Sequence, residues 1–162
     1  MPAGLITDSG RVFMARLLRG DALEGITHCA IGDGDTTFVN PLDPPSPSRM
    51  QIALKHERAR KKYYKRSFLT VDPAGQSLLV VNGVHYLETT MPTNIIGVSF
   101  IFDETEANGI TVKEYGFFGG GVTYVQGHAS DYAEGGVYNA VSNPSGKVLN
   151  PGYPTRSRIC RI

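Results

Sequence analysis

The chain has 162 residues, of which 41% are hydrophobic and 9% aromatic, and its formal net charge is +1. That is room for one domain with a real core, and near-neutrality leaves no global field to draw in nucleic acid or an anionic membrane. Apolar runs stop at four or five residues, far short of the ~20 a membrane-spanning helix needs, and no secretory signal is visible, so folding in the cytoplasm is expected.

Thr7 or Asp8 can cap a first helix that runs through Arg19 and closes at Gly20. Val12, Phe13, Met14, Leu17 and Leu18 form its packing stripe, with Arg11, Arg16 and Arg19 outward. Residues 26–31 read as a short strand, stopped by Gly32-Asp33-Gly34-Asp35. Residues 40–48 are too rich in proline for regular structure. Ser46 and Pro47 then look like the N-cap and first residue of a second helix ending near Lys61.

Beyond Tyr63 the signals are those of strands. Asp72-Pro73-Ala74-Gly75 fits a type I turn. Residues 78–81 and 84–87 flank Asn82-Gly83, which tolerates the positive φ of a type I′ hairpin turn. Ile96, Val98, Phe100 and Phe102 alternate with Gly97, Ser99 and Ile101 as a two-faced strand. Residues 110–118, ITVKEYGFF, form the next strand, and 122–125 one more. From 135 to 154 Gly, Asn, Pro and Ser dominate, and periodicity fades. With nineteen Gly and ten Pro in the whole chain, turns and long connections are expected to be many.

Residues 55–66 (KHERARKKYYKR) hold seven of the sixteen Lys and Arg residues. Three readings are open. The run could be a solvated helix end whose cations complement the helix dipole. It could be a docking surface for an acidic partner, carried by Arg58, Arg60, Lys61, Lys62, Tyr63, Tyr64 and Lys65. It could also neutralise phosphates, with Tyr63 and Tyr64 stacking on bases; a basic run inside a neutral chain argues against nucleic acid.

Asp33-Gly34-Asp35 with Thr36 and Thr37 could offer oxygens to Ca²⁺, yet it lacks the twelve-residue loop and closing Glu of an EF-hand. A tight turn held by Asp side chains is the expected reading. His28, His56, His85 and His128 are scattered, and no nucleophile motif or phosphate loop occurs; no enzyme, cofactor or metal is expected. Cys29 and Cys160 have no metal-ligand spacing. They read as free thiols, Cys29 buried in its strand, or as a cross-link formed outside the reducing cell.

Glu114 shares a face with Ile110, Val112 and Phe118 by strict alternation. If that face is the core, its carboxylate needs a cationic or multi-donor partner, for which Arg66 is the first candidate. A bulge at Gly116 would instead turn it outward.

Three segments taken together resemble a known family. LITDSG (5–10), IGDG (31–34) and VKEYGFF (112–118) follow the order of the "TDAG" helix, the "(I/V)GDG" turn and the late "(I/V)xEIGLF" strand. These belong to the N-terminal domain of bacteriophage tail-collar fibre proteins and related small baseplate proteins. The resemblance implies a structural subunit of the virion tail, working by contact with other tail or baseplate proteins and with copies of itself in a three- or sixfold array. It assigns Gly32, Gly34, Glu114 and Gly116 structural roles. Tail-collar fibre proteins continue into a long shaft, and this chain stops, which implies an adaptor rather than the fibre.

The expected fold is α+β, a mainly antiparallel sheet of five or six strands with two helices. The domain is expected over residues 1–134, followed by an extended C-terminal arm, 135–162. In the arm, Val148, Leu149, Tyr153, Ile159 and Cys160 are candidates for assembly contacts, ordered only against another chain.

Overall fold

Thr7 caps the first element, accepting the Gly10 N–H on its hydroxyl at 3.1 Å. Helix α1 (Asp8–Arg19) follows, and Gly20 ends it in the left-handed region at φ 91. The Gly20 and Asp21 amides turn back to the carbonyls of Leu17 and Arg16, each at 3.0 Å, a Schellman closure. Asp21 then receives Arg16 Nε at 2.7 Å and Arg19 Nε at 2.8 Å. Those two cations hold its carboxyl below the usual range.

A computed structural model describes residues 5–35, 45–102, 109–124, 137–139, 148–150 and 153–159. Among these residues the rest of the regular structure is strand: β1 (Leu5–Ile6), β2 (Ile26–Gly32), β3 (Glu57–Lys62), β4 (Lys65–Val71), β5 (Leu79–Val81), β6 (Val84–Thr89), β7 (Ile96–Ser99), β8 (Glu114–Gly119), β9 (Thr123–Tyr124), β10 (Val137–Asn139), β11 (Val148–Asn150) and β12 (Tyr153–Ile159). They form a six-stranded sheet in the order β1-β12-β8-β2-β3-β10, a four-stranded sheet in the order β5-β6-β4-β7, and the pair β9-β11. Every pairing is antiparallel.

The α+β expectation is therefore corrected: the described residues are mostly β, with one twelve-residue helix. The second helix, expected over residues 46–61, does not form. Its latter part is β3, hydrogen-bonded between β2 and β10. Glu, Arg, Ala and Lys are good helix formers, but the preference of each is a few tenths of a kcal/mol and two flanking strands override it. Ser48 makes only a turn, its carbonyl accepting the Gln51 N–H at 3.1 Å.

The C-terminal arm is corrected as well. Residues 153–159 are β12, an interior strand between β1 and β8 with α1 lying against it. Val137–Asn139 edges β3, and Val148–Asn150, which includes Val148 and Leu149, pairs with β9. Cys160 lies outside the described residues, as does most of the proline-rich stretch, 36–44.

Locally decided elements stand as expected. Asn82 (φ 52) and Gly83 (φ 80) make the β5–β6 turn, the two positive angles a type I′ turn demands. Asp72 accepts the Ala74, Gln76 and Ser77 amides at 2.8–2.9 Å. These donors, Ser77 foremost, pull its carboxyl below the usual range.

In the six-stranded sheet, His28 faces Phe118, Ala30 faces Gly116, and Gly32 faces Glu114 across β2 and β8. Ala30, Leu54 and Phe118 form the buried centre, with Val122 packed against it. Two residues join the large sheet to the small one. The Tyr63 amide still bonds to Thr27 of β2, at 2.9 Å, and the Tyr64 amide already bonds to Ser99 of β7, at 2.8 Å.

Candidate functional site

The basic segment is divided by its strand rather than presented whole. In β3, Arg60 is 1% exposed. Its guanidinium lies 3.8 Å over the Phe118 ring and grips Glu57 with two bonds of 2.7 Å, Nε to Oε1 and Nη2 to Oε2. Lys61 is also buried. Arg60 and Lys61 therefore belong to the interior, which removes them from the expected docking surface and from the solvated-helix reading. Arg58 faces Asp33, with Nε 3.8 Å from Oδ2. Lys62 and Arg66 both lie over the ring of Tyr63, and Lys65 pairs with Glu88. Tyr64 is the exposed aromatic of the group.

Glu114 is buried at 1% exposure, which makes the face it shares with Phe118 the core side of β8. β8 has no bulge at Gly116, which sits in regular register opposite Ala30. The partner differs from the expected Arg66, which instead donates to Tyr63 Oη at 3.1 Å. Glu114 Oε2 accepts the Lys55 N–H at 3.0 Å, and Oε1 accepts the His56 N–H at 2.8 Å. The side chain thus tethers the segment entering β3 to the start of β8. Gly32 must be glycine for this to fit: a Cβ there would lie 2.7 Å from Glu114 Oε1 and would collide with the His56 carbonyl. Gly34, at φ 73, takes the turn beyond it.

Asp33 and Asp35 sit beside that turn in an open recess of about 530 Å³ with His56, Thr111 and Lys113. His56 Nδ1 lies 2.7 Å from Asp33 Oδ1, without a well-directed hydrogen bond. Lys55 Nζ is 3.7 Å from Asp35. Three cationic side chains, Lys55, Arg58 and Lys113, surround the two carboxylates, a poor setting for Ca²⁺. Among the described residues no three of His, Cys, Asp and Glu gather as metal ligands would.

A larger groove, about 800 Å³, separates the two main sheets. Cys29, Ile31, Tyr115 and Phe117 form one wall, and Val98 and Phe100 stand on the other. The Phe100 and Phe117 rings stack at 5.5 Å, and Tyr115 meets Phe117 edge-on at 5.7 Å. Burial pushes the Cys29 thiol up to about 12, so it stays protonated at neutral pH and is a poor nucleophile.

The four-stranded sheet is the surface that composition alone did not reveal. Its register puts Val71, Leu79, Val81 and Val84 on one face, and Val80, Leu87 and Ile96 on the other. All seven are exposed, between 39% and 67%, and Leu78 is fully so. Leu69 is the exception. It is buried by folding over Gly97, whose absent Cβ leaves that room. A run such as Leu78-Leu79-Val80-Val81, apolar at four successive positions, was the available signal, because a strand with one wet face alternates.

The expected docking residues are thus split between core, ring stacks and surface, while Gly32, Gly34 and Glu114 meet at one corner. No protein-family model matches this chain, and no curated protein sequence matches it. Among the described residues no helix is long and apolar enough to cross a membrane.

Proposed function

We propose that this chain is a structural subunit of a bacteriophage or phage-like tail, a baseplate or tail-fibre adaptor that acts by protein–protein assembly. The observation that carries this reading is the four-stranded sheet, apolar and exposed on both faces. Contiguous apolar surface beyond a few hundred Å² is uncommon on soluble monomers and marks contact sites. The three motifs that resemble the tail-collar domain lend further support. Two of them meet in space, the (31–34) turn and the (112–118) strand being joined through Gly32 and Glu114.

The rival reading, a nucleic-acid-binding accessory protein using residues 55–66, loses support because Arg60 and Lys61 are buried. A heparin column at physiological salt separates the two, since a phosphate binder elutes late and a docking subunit early. The direct test is a triple variant, Leu79→Thr, Val81→Thr and Val84→Thr, on the exposed sheet. It is expected to fold and to be lost from purified particles. Particles that assemble and infect normally without the chain would overturn the proposal.

A further inference from the structure

We infer that β5 pairs edge to edge with β5 of a second copy of this chain, joining two four-stranded sheets about a twofold axis. The inference rests on the assembly reading above and names one of its partners.

Backbone geometry sets which groups are on offer. Val80 stands opposite His85, and the His85 carbonyl is turned away toward β4, where it accepts the Asp72 N–H at 2.9 Å. In an antiparallel ladder a residue sends both its N–H and its C=O to the same side. His85 therefore spends its pair on β4. Val80, facing it in a non-hydrogen-bonded position, sends its own N–H and C=O to the outer edge. The tight turn agrees, since a two-residue loop makes Val81 and Val84 the bonded pair and leaves Val80 unbonded to β6. Among the described residues no strand lies on that outer edge.

Among the described residues the edge also lacks what usually protects one. Proteins blunt exposed edges with Lys, Pro, bulges or inward charges. Residues 74–84 contain no charged residue and no proline. Two identical copies therefore meet there with no like-charge repulsion.

Symmetry favours a copy of the same strand. A twofold interface uses the same patch on both subunits, so each contact occurs twice. Antiparallel pairing centred on Val80 puts Val80 against Val80, which exchange both bonds, and Leu79 against Val81, apolar against apolar on each face. Leu78, Leu79, Val80 and Val81, on or beside the edge strand itself, are all exposed, so the apolar side chains of the two β5 strands meet as cross-strand neighbours when the edges pair.

The test is sedimentation of the purified chain over a hundredfold concentration range, with two variants. Val80→Pro removes the outward N–H and no bond of the hairpin, and an edge strand tolerates proline on its solvent side. Val80→Lys puts like charges on the axis. The expected result is a concentration-dependent species of twice the monomer mass, lost in both variants while thermal unfolding stays cooperative. Amide exchange at Val80 in the wild type, slowed at least tenfold at high concentration, gives the same answer without any substitution.

A wild type that stays monomeric throughout, or a dimer that survives Val80→Lys, would overturn the pairing. So would an unprotected Val80 amide in a dimer. A monomer that still enters particles overturns the pairing and leaves the subunit proposal standing; a dimer absent from particles does the reverse.

Discussion

Gly32 and Glu114 face each other across β2 and β8, and the Glu114 side chain fills the space a Cβ on Gly32 would need. Gly32→Ala is therefore expected to cost about 3 kcal/mol, the upper range for overpacking. The obstacle is the His56 backbone carbonyl as well as the flexible carboxylate, and backbone cannot step aside cheaply. Urea unfolding midpoints of the variant and the wild type measure it, and a loss under 1 kcal/mol would show that the corner relaxes.

Glu114→Leu leaves the Lys55 and His56 amides without acceptors. At ~1–3 kcal/mol for each stranded donor, the expected loss is roughly 3–5 kcal/mol. Glu114→Gln keeps one acceptor but points its NH₂ at the other amide, so an intermediate loss is expected. The same denaturation series orders the three, and a Leu variant as stable as the Gln variant would contradict the tether.

Arg60→Ala removes a buried cation that grips Glu57 and covers Phe118. A loss of ~3–5 kcal/mol is expected, as for breaking a buried pair. Arg60→Met with Glu57→Leu should recover most of it, because both charges leave together. Lys65→Gln and Arg66→Gln, on the exposed part of the run, should each stay within about 0.5 kcal/mol. Thermal melts of these five proteins decide it. Neutralising Arg60 and Lys61 along with their neighbours would unfold the sheet rather than probe a surface.

Much of this was legible in the sequence only where the cause is local. Thr7, Gly20 and the Asn82-Gly83 turn are decided by their own neighbours, and each stands where the pattern puts it. Alternation put Glu114 on the face of Phe118 without deciding whether that face was the core. Its partners were not legible, because the Lys55 and His56 amides are backbone groups that any residue type would supply. β3 was hidden by its helix-forming composition, and β12 by its lack of periodicity, since both are strands only because other strands flank them. Alternation likewise cannot say whether a second layer covers the small sheet.

His28 is held neutral: burial foremost, then Arg60 and Lys62, lowers its pKa from 6.5 to about 4. The unfolded chain takes up a proton below pH 6.5 that the folded one refuses until about 4. Stability from this residue is thus complete above 6.5 and lost as pH falls toward 4, by up to on the order of 3 kcal/mol. Asp21 and Asp72, whose folded values are lowered, add losses only below their ordinary 3.8. Melting temperatures between pH 7 and 4.5 should fall in the wild type and fall less in His28→Gln. Parallel slopes would remove His28 as the cause.

Residues 153–159, as an interior strand, should resist limited proteolysis in a purified monomer. Cleavage within this segment at the rate of an unstructured peptide, read by mass spectrometry, would contradict the placement of β12.

That placement also orders events at the ribosome. β1 precedes the other strands and, among the described residues, pairs with β12 alone, so it waits for a partner translated some 150 residues later. Until then β8 carries a bare flank, the kind of open ladder that recruits foreign strands. The nascent chain is most vulnerable just before residues 153–159 emerge, and termination upstream of residue 153 would release a product whose large sheet is permanently unsealed.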